Sequence, residues 1–331
     1  MTTFANSASF RTYDATLNEL IPVGPTHLRP AGYEPDGLIG LTLSRPEEMP
    51  AQIMQYPIFD APTRLENYVR PAMTRAKQIR FNQGSVQVIC INYAAGAEAP
   101  IEYYLNADLR DTYIEGVERG CEYAIRIAVE KAIKDTLNAT TAVTSVFAIG
   151  SAWNASANAG RALQTVESVL QYVEDTGGYR PNVIGFGKSA WRAFAANSSV
   201  LAACGNWVTP QRVAEVYRVG TVAVAQNLRD SSGEGLPLSP DAIFDDVVYC
   251  VRQPKSSSVS FEPRHSATCY WIPSNERASV PGIFNAFRHP YDGKSHSQPV
   301  EVSCWIHPVI LDNKLGAAIK GVNSAQAGGL V

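Results

Sequence analysis

The residues best placed to do chemistry begin at Ile184–Trp191, IGFGKSAW, where Gly187-Lys188-Ser189 lies between an apolar run and a helical pattern. Gly-Lys-Ser after a strand and before a helix evokes a loop that cradles phosphate on its backbone amides. Such a loop needs a first glycine five residues before the second; here that position is Asn182, preceded by Pro181, so the frame fails. The expected reading is a turn into a helix, with Trp191 and Phe194 as core anchors. Metal ligands are no better provided. His265 and Cys269 are four apart and Cys304 and His307 three apart, both in strand or loop patterns. A spacing of three on a strand sends side chains to opposite faces, and no third or fourth ligand clusters nearby. His27, His289 and His296 stand alone among prolines or glycines and read as surface residues. There is no GxSxG elbow, HExxH or dinucleotide fingerprint, and the scattered acids single out no acid/base pair. No catalytic residue, metal site or cofactor is expected, and the chain is not expected to be an enzyme.

One charged cluster does stand out. Arg64, Arg70, Arg75, Lys77 and Arg80 face a single acid, Glu66, between residues 61 and 80. Such a segment can grip nucleic acid, present a solvated face or pair with acids on a neighbouring subunit. The whole chain gives no mandate for the first: its formal charge is −3 and its pI about 6.0, without the strongly basic balance of a dedicated nucleic-acid binder. No apolar run approaches the ~18 residues of a membrane span, so no membrane partner is expected. The N-terminal stretch MTTFANSASFRTYDA lacks the pattern of a signal peptide, and six scattered cysteines without a CxxC pair read as free, buried thiols.

The elements that must position these residues are organised around Asp108–Asn138, which reads as one uninterrupted helix. Leu109, Tyr113, Val117, Cys121, Ala124, Ala128 and Ala132 recur in steps of three and four and give an expected buried stripe. Asp108 is the expected N-cap, and Glu115/Arg119, Glu122/Arg126 and Glu130/Lys134 read as weak pairs on a polar side. At 1.5 Å per residue the helix spans roughly 40–45 Å. Gly116 and Gly120 cost about 1 kcal/mol each inside it, which suggests that another backbone passes close by.

Before this helix, residues 1–35 are interrupted by Pro22, Pro25, Pro30 and Pro35 and read as an extended arm, with one short helix near Asp14–Leu20. Residues 55–93 carry strand signals in YPIFD, ENYVR, KQIRF and SVQVICINY, a long two-stranded excursion. After the helix come a strand in TAVTSVFAIG, a helix in GRALQTVESVLQYVEDTGG that stops at Gly177-Gly178, a buried strand NVIGF and a helix KSAWRAFAAN. A further helix over 209–216 and strand over 216–225 complete a mixed α/β lobe. DDVVYCV, TCYWIP, VPGIFNAF and PVEVSCWIHPVIL read as strands, the last with Val300, Val302, Cys304 and Ile306 on one face.

This order of elements resembles the major capsid proteins of tailed bacteriophages, an α+β architecture called the Hong Kong 97-type fold. The resemblance is most specific over Ser151–Cys204: Trp153 precedes a helix, a turn runs from Thr176-Gly177 to Pro181-Asn182, and a short strand leads into a helix bearing Trp191. Met73–Phe81 falls where the family has an Arg-rich turn, and Val300–Gly321 where a strand returns to the peripheral domain. The resemblance implies an N-terminal arm over 1–35 and an extended loop (E-loop) over 50–93. It further implies a peripheral domain over 94–148 and 291–331, with the long helix as its spine, and an axial domain over 149–290.

Its functional implication is a structural protein that self-assembles through hexamers and pentamers into an icosahedral head around double-stranded DNA. Arm and loop would reach onto neighbours, with Arg64, Arg70, Arg75, Lys77 and Arg80 in inter-subunit contacts. Leu109, Tyr113, Val117 and Cys121 would form the spine's buried seam, and Trp153 and Trp191 would anchor the axial lobe. The short arm from Met1 implies a separate scaffolding protein or none; portal and cement proteins are further implied partners, and contact with packaged DNA would be non-specific. Lys77 is the only lysine of the loop, and an ordinary ion pair is its expected role where some relatives cross-link. Assembly in a host cytoplasm and residence in the virion follow from the same resemblance. A bacterial encapsulin-like compartment with this fold and a soluble α/β enzyme are the alternatives.

Overall fold

The computed structural model of the chain describes residues 21–23, 38–59, 83–100, 107–143, 145–148, 153, 161–205, 207–230, 240–254, 262–273, 283–289 and 296–322. Two sheets and one long helix dominate these residues. The helix, α2, runs over Ala107–Asn138. It lies against a sheet whose strands follow the order β1 (Ile21–Val23), β13 (Phe284–Arg288), β14 (Ser297–Ile310), β12 (Ser266–Trp271) and β2 (Arg45–Met49). A further strand, β5 (Ile91–Pro100), pairs antiparallel with β14 from Ser297 to Ile306. Val300, Val302, Cys304 and Ile306 are each about 1% exposed or less. Period-two alternation therefore delivered the expected buried face of β14.

The second sheet carries the lobe, in the order β6 (Ser145–Ala148), β15 (Gly316–Lys320), β11 (Val247–Val251), β7 (Val183–Phe186) and β8 (Thr221–Val224). β11 is buried at every position, as is β7, because helices cover the sheet. Those helices are α3 (Ala162–Gly177), α4 (Lys188–Ala195), α5 (Ser198–Cys204) and α6 (Pro210–Tyr217). A short helix, α1 (Ile39–Leu43), leads into β2, and two small ribbons complete the elements: β3 (Ile53–Phe59) with β4 (Gln83–Ile89), and β9 (Leu228–Asp230) with β10 (Pro240–Ala242). The layers interleave along the chain. β12 and β13 come from the same stretch as β7, β8 and β11 yet join the first sheet, whereas β15, close to the C-terminus, joins the second.

Local signals explain the lobe helices. α3 buries Val166, Val169, Leu170 and Val173 and ends at Gly178, whose φ of 75° is the left-handed conformation that glycine adopts without a Cβ penalty. Asn197 caps α5 by accepting from the Ser199 amide, and Thr209 caps α6 by accepting from Arg212. All six cysteines are free and buried, as expected.

The sequence stretch SVQVICINY divides where a single strand was expected. Cys90 is buried and its amide bonds to the Gln52 carbonyl at 2.9 Å, which ends β4 and releases β5 toward β14. Of the expected arm, Ile21–Val23 pairs antiparallel with Phe284–Ala286 in the chain's own sheet. The helix expected near Asp14–Leu20 and the strand segments ENYVR and KQIRF lie outside the described residues.

Trp153 and Phe194 hold the lobe together. Phe194 is fully buried and lies 4.8 Å from the Phe186 ring, 5.6 Å from Trp153 and 6.5 Å from Tyr217, centroid to centroid. Trp153 is fixed at both backbone groups, its amide donating to Val322 and its carbonyl accepting from Asn197 Nδ2. Trp191, expected as a second anchor, packs on this core from a half-buried position. Truncating Phe194 to alanine should lower unfolding stability by about 3–5 kcal/mol, the range for deleting a buried aromatic. Urea denaturation followed by Trp fluorescence measures it, and an unchanged midpoint would refute the anchor role.

Candidate functional site

The Gly-Lys-Ser turn has no amide to offer an anion. Gly187 donates its N–H to Val247, Lys188 to Phe244 and Ala190 to Asp245 carbonyls, while Ser189 N–H donates to the Asp245 carboxylate at 3.1 Å. A methyl on Gly187 would collide with the Asp245 carbonyl, so this glycine is there for close backbone approach. The turn is closed, as its failed frame implied. His265 is likewise enclosed. Its Nε2 lies 2.7 Å from the Ala142 carbonyl and therefore donates, and burial holds its pKa down to about 4, so the ring is neutral. Cys269 and Cys304 are pushed up to about 12 by burial and stay thiols. No group of three or more His, Cys, Asp or Glu among the described residues is placed to hold a metal ion.

What the structure does assemble is a charged seam beneath α2. Glu118, Glu122, Arg126 and Glu130 are each 1% exposed or less. They follow one another at intervals of four along the face that meets the first sheet. Glu118 takes a two-pronged ion pair from Arg288 on β13, with Nη2 at 2.9 Å from Oε2. Glu122 pairs with Arg126, whose guanidinium sits 5.3 Å above the Phe284 ring. Glu130 accepts from Asn227 Nδ2 and from the backbone N–H groups of Ile39 and Gly40, so it neutralises the start of α1. One helix face thus fixes β13, the loop after β8 and α1 at once. Tyr249 on β11 adds a tie at the far end, donating to Asn138 Oδ1 at 2.6 Å.

These positions correct two sequence expectations. Glu122, Arg126 and Glu130 were read as the polar, solvated side of the helix. They are buried, and of the three expected pairs Glu115/Arg119 is the one that behaves as a surface pair, 3.6 Å apart with side chains 30% and 38% exposed. The apolar seam is carried by Ile114, Cys121, Ile125, Val129, Ile133 and Leu137, whereas Val117 and Ala128 are half-buried and Ala124 exposed. The larger residues win because buried apolar area sets the gain, at about 25 cal/mol per Å². The side chains of Leu109, Tyr113 and Asp108 lie outside the described residues. No backbone approaches Gly116 or Gly120, where an added methyl would have open space around it among the described residues. The signal that could have exposed the seam is the four-residue spacing of Glu118, Glu122, Arg126 and Glu130 beside the larger aliphatic stripe.

The second assembled feature is the root of the β3–β4 ribbon. Met49, Tyr56, Val88, Cys90, Ala267, Cys269 and Val309 form a small core there. Tyr56 donates to Glu47 Oε2 at 2.9 Å, Glu47 pairs with Arg264 at 2.6 Å, and Arg264 lies 5.3 Å over the Tyr56 ring. At the base of the ribbon Ile53 and Ile89, directly opposite each other in register, are 59% and 41% exposed, and Ile91, the first residue of β5, is 56% exposed. Arg64, Arg70, Arg75, Lys77 and Arg80, the expected inter-subunit contacts, all lie outside the described residues.

No protein-family model matches the chain, and no curated protein matches it. Solved structures do. A phage-related protein from Bordetella bronchiseptica RB50 superposes with a TM-score of 0.66 at 17% identity, over 92% of this chain and 98% of that one. The putative capsid protein of an Escherichia coli CFT073 prophage gives 0.53 at 11% identity, over 90% and 94%. The SrpI encapsulin of Synechococcus elongatus PCC 7942 gives 0.50 at 12% identity, over 95% and 97%. The chain therefore has the fold of phage capsid proteins, which encapsulin shells share, and the resemblance read from Ser151–Cys204 holds at the level of fold.

Burial raises Glu122 to about 8 against the opposing pull of Arg126, and Glu130 to about 7 against its hydrogen bonds. A folded-state pKa above the unfolded value of about 4.5 means stability that is complete below that value and lost as pH rises through 7 and 8. His265 acts oppositely, costing stability as pH falls from 6.5 toward 4. Above pH 6.5 only the glutamates remain. The melting temperature should therefore fall between pH 6.5 and 8.5, and the double variant Glu122→Gln/Glu130→Gln should flatten that decline; a wild-type slope in the variant would place the effect elsewhere.

Proposed function

We propose that the chain is the subunit of an icosahedral protein shell, and that this shell is the head of a tailed bacteriophage enclosing double-stranded DNA. The observation that carries the reading is a fold shared over nearly the full length of both chains with capsid and shell proteins. Two further features agree with it. The β3–β4 ribbon is rooted by the Tyr56–Glu47–Arg264 clasp yet leaves Ile53 and Ile89 to water, next to the exposed Ile91 of β5, an arrangement that becomes favourable when another copy covers it. The turns and cysteines that could have served catalysis are closed or held as thiols.

In this reading residues 1–35 are the arm and 50–93 the loop that reaches a neighbour. The division into a peripheral domain, 94–148 with 291–331, and an axial domain, 149–290, belongs to the same proposal, with α2 as the spine. Arg64, Arg70, Arg75, Lys77 and Arg80 supply inter-subunit polar contacts. Copies associate as hexamers and pentamers in a host cytoplasm, with separate scaffolding, portal and cement proteins, and touch packaged DNA without sequence preference.

A second reading is favoured by one observation, the likeness to the SrpI encapsulin: a bacterial compartment that holds protein cargo. Expression of the chain alone, followed by sedimentation and negative-stain microscopy, should give closed particles or hexameric and pentameric rings. A species that stays monomeric or dimeric with added salt, crowder and scaffold would overturn the shell. Particles that form only with cellular protein inside, and no nucleic acid under any packaging condition, would select the compartment. The double variant Lys77→Glu/Arg80→Glu should fold normally by circular dichroism and lose particle yield; normal yield would remove these residues from the contact.

A further inference from the structure

A cavity of about 730 Å³ opens where α1, the start of β2, the turn after α3 and the turn after α6 meet. Four arginines line it, Arg45, Arg180, Arg218 and Arg252, and no acidic residue does. In a chain with 31 acids and 28 bases this is a marked local imbalance. Arg180 is already engaged, bonded to Glu167 at 2.9 Å and within 3.5 Å of Glu174. The other three are not. Among the described residues Arg45, Arg218 and Arg252 have no acid within ion-pair distance, and the Nε of Arg252 is buried without a hydrogen-bond partner.

The guanidinium groups of Arg45 and Arg252 are held by contacts with the protein. Arg45 donates Nη1 to the Pro254 carbonyl at 3.0 Å, and Arg252 donates Nη1 to the Arg180 carbonyl at 3.4 Å and stacks 6.0 Å from the Tyr179 ring. Arg218 is exposed at the rim, on a left-handed backbone, φ 54°, at the end of α6. Pro46, Pro181 and Pro254 stiffen the walls, and Asn182 ties two of them by exchanging hydrogen bonds of 2.8 Å with Gln253. A hollow lined by four arginines, with donors to spare and no acid on its wall, suits an oxyanion. Its volume lies within the range of small-molecule pockets and exceeds what one carboxylate fills.

We infer that this arginine-lined cavity binds phosphate groups, two or more linked together, by bidentate contacts from Arg45, Arg218 and Arg252. The linked phosphates could belong to a free polyphosphate or nucleotide, or to a nucleic-acid backbone; the chemistry recognised is the same. The inference rests on the geometry of one chain and stands whether or not the shell reading does.

Titration calorimetry of the full chain with sodium tripolyphosphate in low salt tests it. Binding should occur with one site per chain and weaken steeply as salt rises. The double variant Arg218→Asn/Arg252→Gln should lose affinity by about tenfold or more, at least the worth of one charge-assisted hydrogen bond. Asparagine tolerates the left-handed backbone at 218, so folding is kept, and an unchanged melting curve verifies that. The exposed-site variant Arg192→Gln should bind as wild type. A 12-nucleotide single strand that displaces tripolyphosphate assigns the site to nucleic acid; one that fails to displace it assigns it to small polyphosphates. Absence of binding, equal loss in Arg192→Gln, or binding of poly-glutamate in place of tripolyphosphate would overturn the inference.

Discussion

Everything in the first layer depends on burying four charged side chains under one helix. Taking Glu118, Glu122, Arg126 and Glu130 out of water is costly, and the cost is offset only if each meets a partner of fixed geometry. Glu122 and Arg126 meet each other on α2, with the Phe284 ring of β13 beneath the guanidinium; the other partners come from distant stretches, Arg288 from β13, Asn227 from the loop after β8, and the amides of Ile39 and Gly40 from α1. The helix therefore cannot settle on the sheet in an arbitrary register. An apolar stripe alone would tolerate a slide by one turn, whereas a slide here would strand buried charges, each worth several kcal/mol. The seam thus acts through specificity of packing.

The second layer follows a different logic. Its sheet is covered by helices and packed with aromatic rings, with Phe194 touching Phe186, Trp153, Trp191 and Tyr217 in turn. Tilted and stacked contacts between these rings fix orientation as the ion pairs do below α2. The two sheets are also tied covalently by an interleaved chain path, since β12 and β13 leave the lobe to flank β14 and β15 returns to it. Separation of the layers would break strand pairing in both. The ribbon, in contrast, is rooted by one clasp and a small core and exposes Ile53 and Ile89 at its base.

This contrast frames function. Groups that chemistry might have used are spent on structure: the Gly-Lys-Ser amides on residues 244–247, the His265 ring on Ala142, the thiols on burial. Groups with capacity to spare, the exposed Ile53, Ile89 and Ile91 and the cavity arginines Arg45, Arg218 and Arg252, which have no acid partner among the described residues, are those that suit contact with something else.

Several features were legible from the residues alone. The length of α2, the buried alternation of β14, the stop of α3 at Gly178, the closed Gly-Lys-Ser turn and the free cysteines all follow from local rules, because periodicity, left-handed glycine and missing motif positions are properties of neighbours in sequence. The resemblance over Ser151–Cys204 rests on the same local record. What the sequence could not set was which side of α2 faces inward. Glu122–Arg126 looks identical as a solvated pair and as a buried one, since the spacing is the same and only the arrival of Phe284 and the sheet decides. Likewise nothing local could place Arg45, Arg180, Arg218 and Arg252 around one cavity, as they stand up to two hundred residues apart and are gathered by strand pairing. Tertiary structure decided the environment of each charge, and environment, through desolvation and available partners, sets what a charge can do.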